Sequence, residues 1–475
     1  MQGSKNQQGE SENKSHGHSH SHGHPHGKIS IDLTEGNISK NLWSLASPMI
    51  ISQIVQTVFY IADLIFVGMV GSTAIASVSI ATIFMMTLST AAHGLSIGTT
   101  AIIARLVGQR KDDEAAFIAG QSIMLCFLLG AAIGIPAYFK GEALFGFLGA
   151  NEELVKVGVG YFKISLLGIF ALFLQFITSS IFRATGEARI SMLLTLMATA
   201  LHFIFDPLLI FGIGPFPKLG VNGAAYASII ALVISSATGT IMLLSGSYRI
   251  KVVAKDFTIN LSALWRIFKI AIPAASRRLI RDAARMVMMK IVAIYGTSAI
   301  AAYGIGMRLD MIAMLPGMGL SAATSTLVGQ NLGAGKPENS EKSTWISVKH
   351  LSLIMSVFAV IFFVFAPYII SMFDRASNVI SAGTEYMHYI SISYIFVAII
   401  MVIGGAFNGA GDAMSPLVIS GSAAWILQLP LAGLLATKMS FGPAGIWGAI
   451  LLSAIIESAA FLIWFKQGNW KLKKV

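Results

Sequence analysis

The chain has 475 residues, 55% of them hydrophobic and only 12% charged, with a mean hydropathy of +0.73. Soluble domains carry about twice that share of charge, so the composition excludes a soluble enzyme, a nucleic-acid binder and a disordered scaffold. The net charge of +11 then points to basic residues gathered on one side of a membrane, and one cysteine, Cys126, excludes a disulfide framework or a Cys₄ metal site.

Residues 1–35 are polar and hold His16, His18, His20, His22, His24 and His26, separated by Gly, Ser and Pro. No basic segment is followed by an apolar core, so no signal peptide is expected. Such a tract builds no core. It is either a solvated low-complexity tail or a chelator of Zn²⁺, Ni²⁺ or Cu²⁺ through its neutral imidazoles.

From residue 42 onward apolar stretches recur, each long enough for about 20 residues of bilayer. Spans are expected near 42–69, 75–104, 116–138, 158–183, 190–213, 222–245, 264–293, 298–326, 345–372, 385–407, 414–436 and 444–465. Gly71-Ser72, Gly186-Glu187, Gly335-Lys336-Pro337 and Gly411-Asp412 supply turn chemistry between them. The tails and the even-to-odd loops hold 21 Lys and Arg, whereas the opposite loops hold five, Lys140, Lys156, Lys218, Arg375 and Lys438. That asymmetry predicts both termini in the cytoplasm, and the expected location is the plasma (bacterial inner) membrane.

The chain repeats itself at an offset of 225 residues. Pro48 answers to Pro273, Gly71-Ser-Thr-Ala-Ile-Ala76 to Gly296-Thr-Ser-Ala-Ile-Ala301, Gly94-Leu-Ser96 to Gly319-Leu-Ser321, and Phe182-Arg-Ala-Thr-Gly186 to Phe407-Asn-Gly-Ala-Gly411. Six spans per half enter from the same side, so the halves are parallel repeats. The predicted fold is an all-α integral membrane protein of twelve helices, an N-lobe over 36–248 and a C-lobe over 249–475, with a cavity between them and alternating access.

Ionisable groups inside spans mark function. Asp63 on span one and Asp206 on span five fall at comparable depth, and Gln53, Gln56, Tyr60 and Asp63 share one helical face. His202 shares a face with Asp206 at i, i+4. Two carboxylates and an imidazole suit a proton or Na⁺ site. At the repeat offset Asp63 falls on Met288, and matching Pro207 to Pro430 puts Leu429 in the place of Asp206, which confines the site to the N-lobe. A kink is expected at Pro207.

On span seven, Arg277, Arg281 and Arg285 stack at i, i+4, i+8 beside Arg278 and Asp282, with Asp310 on span eight the nearest candidate counter-charge. The row is either an ion-paired cluster holding the C-lobe together or a cationic wall for an anionic or zwitterionic substrate. Met307, Met311, Met314 and Met318 form a stripe on span eight, either packing or an adaptable apolar surface. His93 and Glu457 are single intramembrane polar groups, Arg183 is counted among the loop charges, and Lys163 is expected to snorkel from a span end.

Ala62-Asp63-Leu-Ile-Phe-Val-Gly68, Phe182-Arg-Ala-Thr-Gly186, Asp206-Pro207-Leu-Leu-Ile-Phe-Gly212, Gly223-Ala-Ala-Tyr-Ala-Ser228 and Leu327-Val-Gly-Gln-Asn-Leu-Gly-Ala-Gly335 resemble multidrug and toxic compound extrusion (MATE) transporters over residues 40–465. The resemblance implies a two-lobe fold with a V-shaped cavity, and efflux of amphipathic compounds against inward H⁺ or Na⁺, with no other cofactor. It carries the cation site onto Asp63, Asp206, His202 in the place of an Asn, and Ser228 in the place of a Thr. Imidazole nitrogen for amide oxygen disfavours a hard cation such as Na⁺ and favours H⁺. An anionic or lipid-linked precursor moved by the arginine row is the second reading. No Gly-x-Ser-x-Gly or His-Glu-x-x-His motif supports an enzyme, and small organic substrates, the lipid bilayer and a functional monomer complete the expectation.

Overall fold

The computed structural model describes residues 32–147, 149 and 152–473, so the histidine tract lies outside the described residues. Within a bilayer every backbone N–H and C=O must be paired inside the segment, and among the described residues the chain does this with helices and no strand. The helices are α1 Ile38–Gly68, α2 Ser72–Gly108, α3 Asp112–Phe139, the short α4 Gly141–Phe147, α5 Glu152–Leu167, α6 Ile169–Ala184, α7 Ala188–Phe211 and α8 Val221–Ser245. After a linker come α9 Leu261–Ala293, α10 Thr297–Gly333, α11 Pro337–Val364, the short α12 Ala366–Ser371, α13 Ser377–Gly409, α14 Met414–Ser422, α15 Leu429–Gly433 and α16 Pro443–Lys466.

Among the described residues ten helical segments are individually long and apolar enough to cross a membrane, counting the run Met414–Lys438 as one, and the pair α5 and α6, bent by 45°, makes an eleventh. The helix outside that count is α9, whose arginines break its apolar character over 33 residues. One difference from expectation concerns a bend. The fourth span breaks at Gly168, where a Cβ would stand 2.2 Å from Ile229 of α8, so close packing on α8 accompanies the bend. Helix α7 carries Pro207 inside its run. In the eleventh span, π-helical turns Ala423–Gln428 and Leu434–Lys438 flank Pro430, whose missing N–H loosens the hydrogen-bond ladder.

Asn37 and Asn260 cap α1 and α9 by accepting from Lys40 N and Ala263 N. The turns that close the fourth and tenth spans use Gly186 and Gly411, at φ +93° and +82°, a region that excludes most side chains. They stand 225 residues apart, so the duplication survives in backbone conformation.

The duplication also sets how the halves meet. Gly94 on α2 lies against Ala271 and Ala275 of α9, and 225 residues on, Gly319 of α10 lies against Ala46 and Ile50 of α1. Further along the same ends, a Cβ on Gly108 would stand 2.0 Å from the Gln330 carbonyl oxygen, and one on Gly333 2.1 Å from that of Arg105. Gln330 donates to the Ala184 carbonyl across the interface at 2.7 Å, and Lys336 to that of Thr34 at 3.0 Å. These close approaches lie in the half of the bundle that carries the start of α1 and the end of α16. At the other end no such approach between the halves occurs among the described residues, so the halves part into a cleft there.

Packing interleaves the halves. Leu42, Leu45, Ala46 and Met49 at the start of α1 belong to a core built mainly from α9–α16, while Leu264, Ile267, Ile270 and Ala271 at the start of α9 sit in a core built mainly from α2, α3 and α6. Later α9 residues, Ala284, Met288 and Val292, return to the core of the second half. Gln121, buried on α3, pins the linker by donating to Asp256 O and Thr258 O and accepting from Asn260 N.

Candidate functional site

Packing of α1 on α7 brings Asp63, His202 and Asp206 together, with one ligand atom of each within 4.8 Å of the others. Phe66 and Phe203 lock the two helices one turn further along, ring centroids 5.4 Å apart. Phe59 lies 4.3 Å from the His202 imidazole, forming an apolar wall. Asp206 is wholly buried, and neither of its carboxyl oxygens has a hydrogen-bond partner among the described residues. His202 Nε2 stands 3.2 Å from Asp206 Oδ1 and 2.7 Å from Ser228 Oγ on α8. Two full negative charges no more than 4.8 Å apart would repel by at least about 3 kcal/mol at an effective dielectric of about 20. The cluster therefore has room and need for positive charge.

Asp63, His202, Asp206 and Ser228 are thus gathered. Gln56 is partly buried and Tyr60 is 55% exposed to the cleft, and neither bonds to the carboxylates among the described residues. Gln53 turns instead to Met318 Sδ across the cleft, at 3.8 Å.

On the facing wall, Arg278, Arg281 and Arg285 have side chains 49%, 39% and 48% exposed. Asp282 lies between Arg278 at 4.0 Å and Arg285 at 3.4 Å. Arg281 pairs with Glu457 on α16 at 2.7 Å, and Glu457 also accepts from Ser420 at 2.8 Å. Asp310 lies within electrostatic reach of Arg285 but makes no direct ion pair with an arginine of α9 among the described residues. Its oxygens accept from Tyr386 and Tyr394 on α13 at 2.6 and 2.7 Å, because α10 turns that face toward α13 rather than α9. Met311 is 52% exposed and Met318 38%, while Met307 and Met314 pack on the core. Lys163 bonds to Glu142 at 2.7 Å.

Sequence reasoning missed Arg183. Counted with the loop charges, it lies instead inside the bundle, donating to Ser191 of α7 at 3.1 Å and Ser96 of α2 at 3.2 Å. Its signal was present in the repeat, whose other copy has the neutral Asn408 at that position.

Two interleaved helical lobes around a cleft with acids on one wall and bases on the other define a multi-pass membrane transporter rather than an enzyme. The MatE family pattern matches residues 48–208 and again 273–434, one match in each half. The chain belongs to the MatE family. It is 29% identical over 403 residues to the "FAD transporter" of Shewanella oneidensis, covering 85% of this chain and 89% of that one. It is 27% identical to the "Probable multidrug resistance protein YpnP" of Bacillus subtilis, over 94% of this chain and 98% of that relative. The fold matches an outward-facing multidrug resistance MATE transporter at TM-score 0.86 and 23% identity, over 95% of this chain and all of that one. A MOP superfamily transporter from Pyrococcus furiosus matches equally well, at 0.86 and 23%, over 94% of this chain.

Proposed function

We propose that this efflux transporter exports small organic compounds in exchange for a cation bound at Asp63, His202 and Asp206, with H⁺ preferred to Na⁺. The observation that carries the reading is the wholly buried Asp206 carboxyl, whose neighbours within the cluster are the His202 Nε2, 3.2 Å from its Oδ1, and a second carboxyl, Asp63. If Ser228 donates to Nε2, that nitrogen and Asp206 Oδ1 oppose lone pairs at 3.2 Å, a contact that one added proton turns into a hydrogen bond. Na⁺ prefers oxygen ligands, by the reasoning that applies to hard cations, and here an imidazole occupies one side. Histidine exchanges protons near neutral pH.

With the basic loops in the cytoplasm, the closed end of the bundle is cytoplasmic and the cleft faces outward. Protonation from that side neutralises buried charge on α1 and α7 and favours release. Deprotonation toward the cytoplasm restores the binding state. The ion drives transport only by distinguishing the two lobe arrangements. The working unit is a monomer in a bacterial inner membrane.

Proteoliposomes loaded with ethidium or FMN and given ΔpH or ΔNa⁺ one at a time test this. ΔpH alone should drive efflux, and Asp63→Asn or Asp206→Asn should abolish the gradient dependence with insertion intact. His202→Asn should raise the response to Na⁺. Efflux driven by ΔNa⁺ alone in the wild type, or unaltered coupling in Asp63→Asn, refutes the reading. A second reading of the cargo, an anionic compound either soluble or lipid-linked, is favoured by the α9 arginines and by the relative named for FAD.

A further inference from the structure

The cleft ends blindly where α2 meets α9, with Gly94 against Ala271 and Ala275 and Gly98 against Ile267. Basic side chains from both lobes converge just above this seal. Arg183 comes from α6 and is held only by the hydroxyls of Ser96 and Ser191, with no carboxylate in ion-pair range among the described residues. Arg277 leaves α9 toward α13, where a Cβ on Gly404 would stand 3.0 Å from its Nη1. Arg278 follows it with half its side chain exposed and its Asp282 partner at a loose 4.0 Å. His93 on α2 lies within electrostatic reach of all three.

The charge does not balance locally. Glu457 pairs with Arg281 at 2.7 Å and also lies within electrostatic reach of Arg277, and Asp282 is shared by Arg278 and Arg285, so two carboxylates serve four arginines of α9 and none serves Arg183 among the described residues. Hydroxyls take two of the five N–H groups of Arg183 and neutralise nothing, and a largely enclosed unpaired guanidinium is costly. The fold does not demand that cost, since the same position in the other repeat is Asn408.

We propose that Arg183, Arg277 and Arg278 form a seat for the phosphate or diphosphate group of the cargo, built from both lobes. The seat rests on the second reading of the cargo given above and assigns it a place. Planar guanidinium forks match phosphate oxygens two at a time, and bonds between charged partners are stronger than neutral ones. The bound anion supplies the negative charge that the cluster lacks.

Riboflavin and its 5′-phosphate, FMN, share one fluorescent ring and differ by a phosphate, so binding of each to the full-length protein in nanodiscs isolates the anion. FMN should bind at least about tenfold more tightly, with an advantage that shrinks as salt rises. Arg183→Gln and Arg278→Gln should each cancel most of that advantage without changing riboflavin affinity, and Arg183→Lys should retain part of it. Arg278 is half exposed, so its variant keeps the test valid even where loss of Arg183 unfolds the lobe, and the unfolding midpoint monitors this. Displacement of FMN by inorganic diphosphate and by farnesyl diphosphate gives a seat open to lipid-linked cargo, and displacement by inorganic diphosphate alone gives a soluble one. Equal affinity for FMN and riboflavin, an FMN advantage that survives both Gln variants, or no displacement by either diphosphate overturns the proposal. Binding needs no gradient, so failure here leaves ion coupling standing, and the reverse also holds.

Discussion

Gly94→Ala should bias the transporter away from the arrangement described above. The added Cβ would lie 2.6 Å from the Ala271 carbonyl oxygen and 2.8 Å from Ala275 Cβ, where ordinary contact begins at 3.4 Å. Both obstacles belong to a helix rather than to a movable side-chain tip, so α2 and α9 must part by about 0.8 Å, the difference between 3.4 and 2.6 Å. Overpacking of this size typically costs 1–3 kcal/mol, and about 1.4 kcal/mol is tenfold in population, so the closed-seal state should lose roughly fivefold to a hundredfold in weight. Spin labels at the exposed Val70 and Ile294, at the open end, in a Cys126→Ser background, would report this as a shift toward shorter distances. Gly319→Ala touches the repeat-related contact at Ile50 Cγ1, 2.5 Å away, with backbone no nearer than Ile50 N at 3.0 Å, and should move the equilibrium in the same direction by less, because the nearest obstacle is a side-chain atom. Unchanged distance distributions and export rates in Gly94→Ala would refute the argument.

Tyr386→Phe with Tyr394→Phe strips both donors from Asp310 and should destabilise the C-lobe by about 2–4 kcal/mol, read as a lower denaturation midpoint, whereas either single change should cost about half. Glu457→Gln leaves Arg281 without its anion and should cost about 1–2 kcal/mol, a value kept small by the 39% exposure of that arginine; adding Arg281→Met should recover most of the loss in the same assay. Burial pushes the Glu187 carboxyl above the usual range, although Arg249 N and Thr185 Oγ donate to it. A folded carboxyl with a raised pKa holds its proton longer than the unfolded chain does, so stability falls as pH rises from the ordinary glutamate range through the folded value. Glu187→Gln should remove that part of the pH dependence, and an equal response of wild type and variant between pH 4 and 7 would count against it.

Much of this was legible because lipid is a simple solvent. Charge-free stretches announce helices, and a strict 225-residue register announces the duplication, down to the matched turns at Gly186 and Gly411. Helical spacing placed His202 beside Asp206, and comparable depth placed Asp63 with them. Legibility failed where the answer depends on which way a helix face turns. Asp310 is near the arginines in chain order but bonds to tyrosines on α13. Arg183, at the end of a span, resembles any loop charge until folding directs it inward to Ser96. The bend at Gly168 goes with a close contact to Ile229 on α8 that no local pattern encodes.

The interleaving of α1 and α9 constrains how such a molecule can move. Each of these helices has its first turns clasped by the opposite half and, in α9, its last turns clasped by its own. With the linker bound to α3 through Gln121, no slack chain exists at the root of α9 to absorb a tilt. Two solid halves therefore cannot simply swing past each other: the helices that tie them must flex midway, or surrender one grip. Pro48 and Pro273, each lacking one rung of its ladder near the changeover, give both tie-rods a weak point at the same place along the chain.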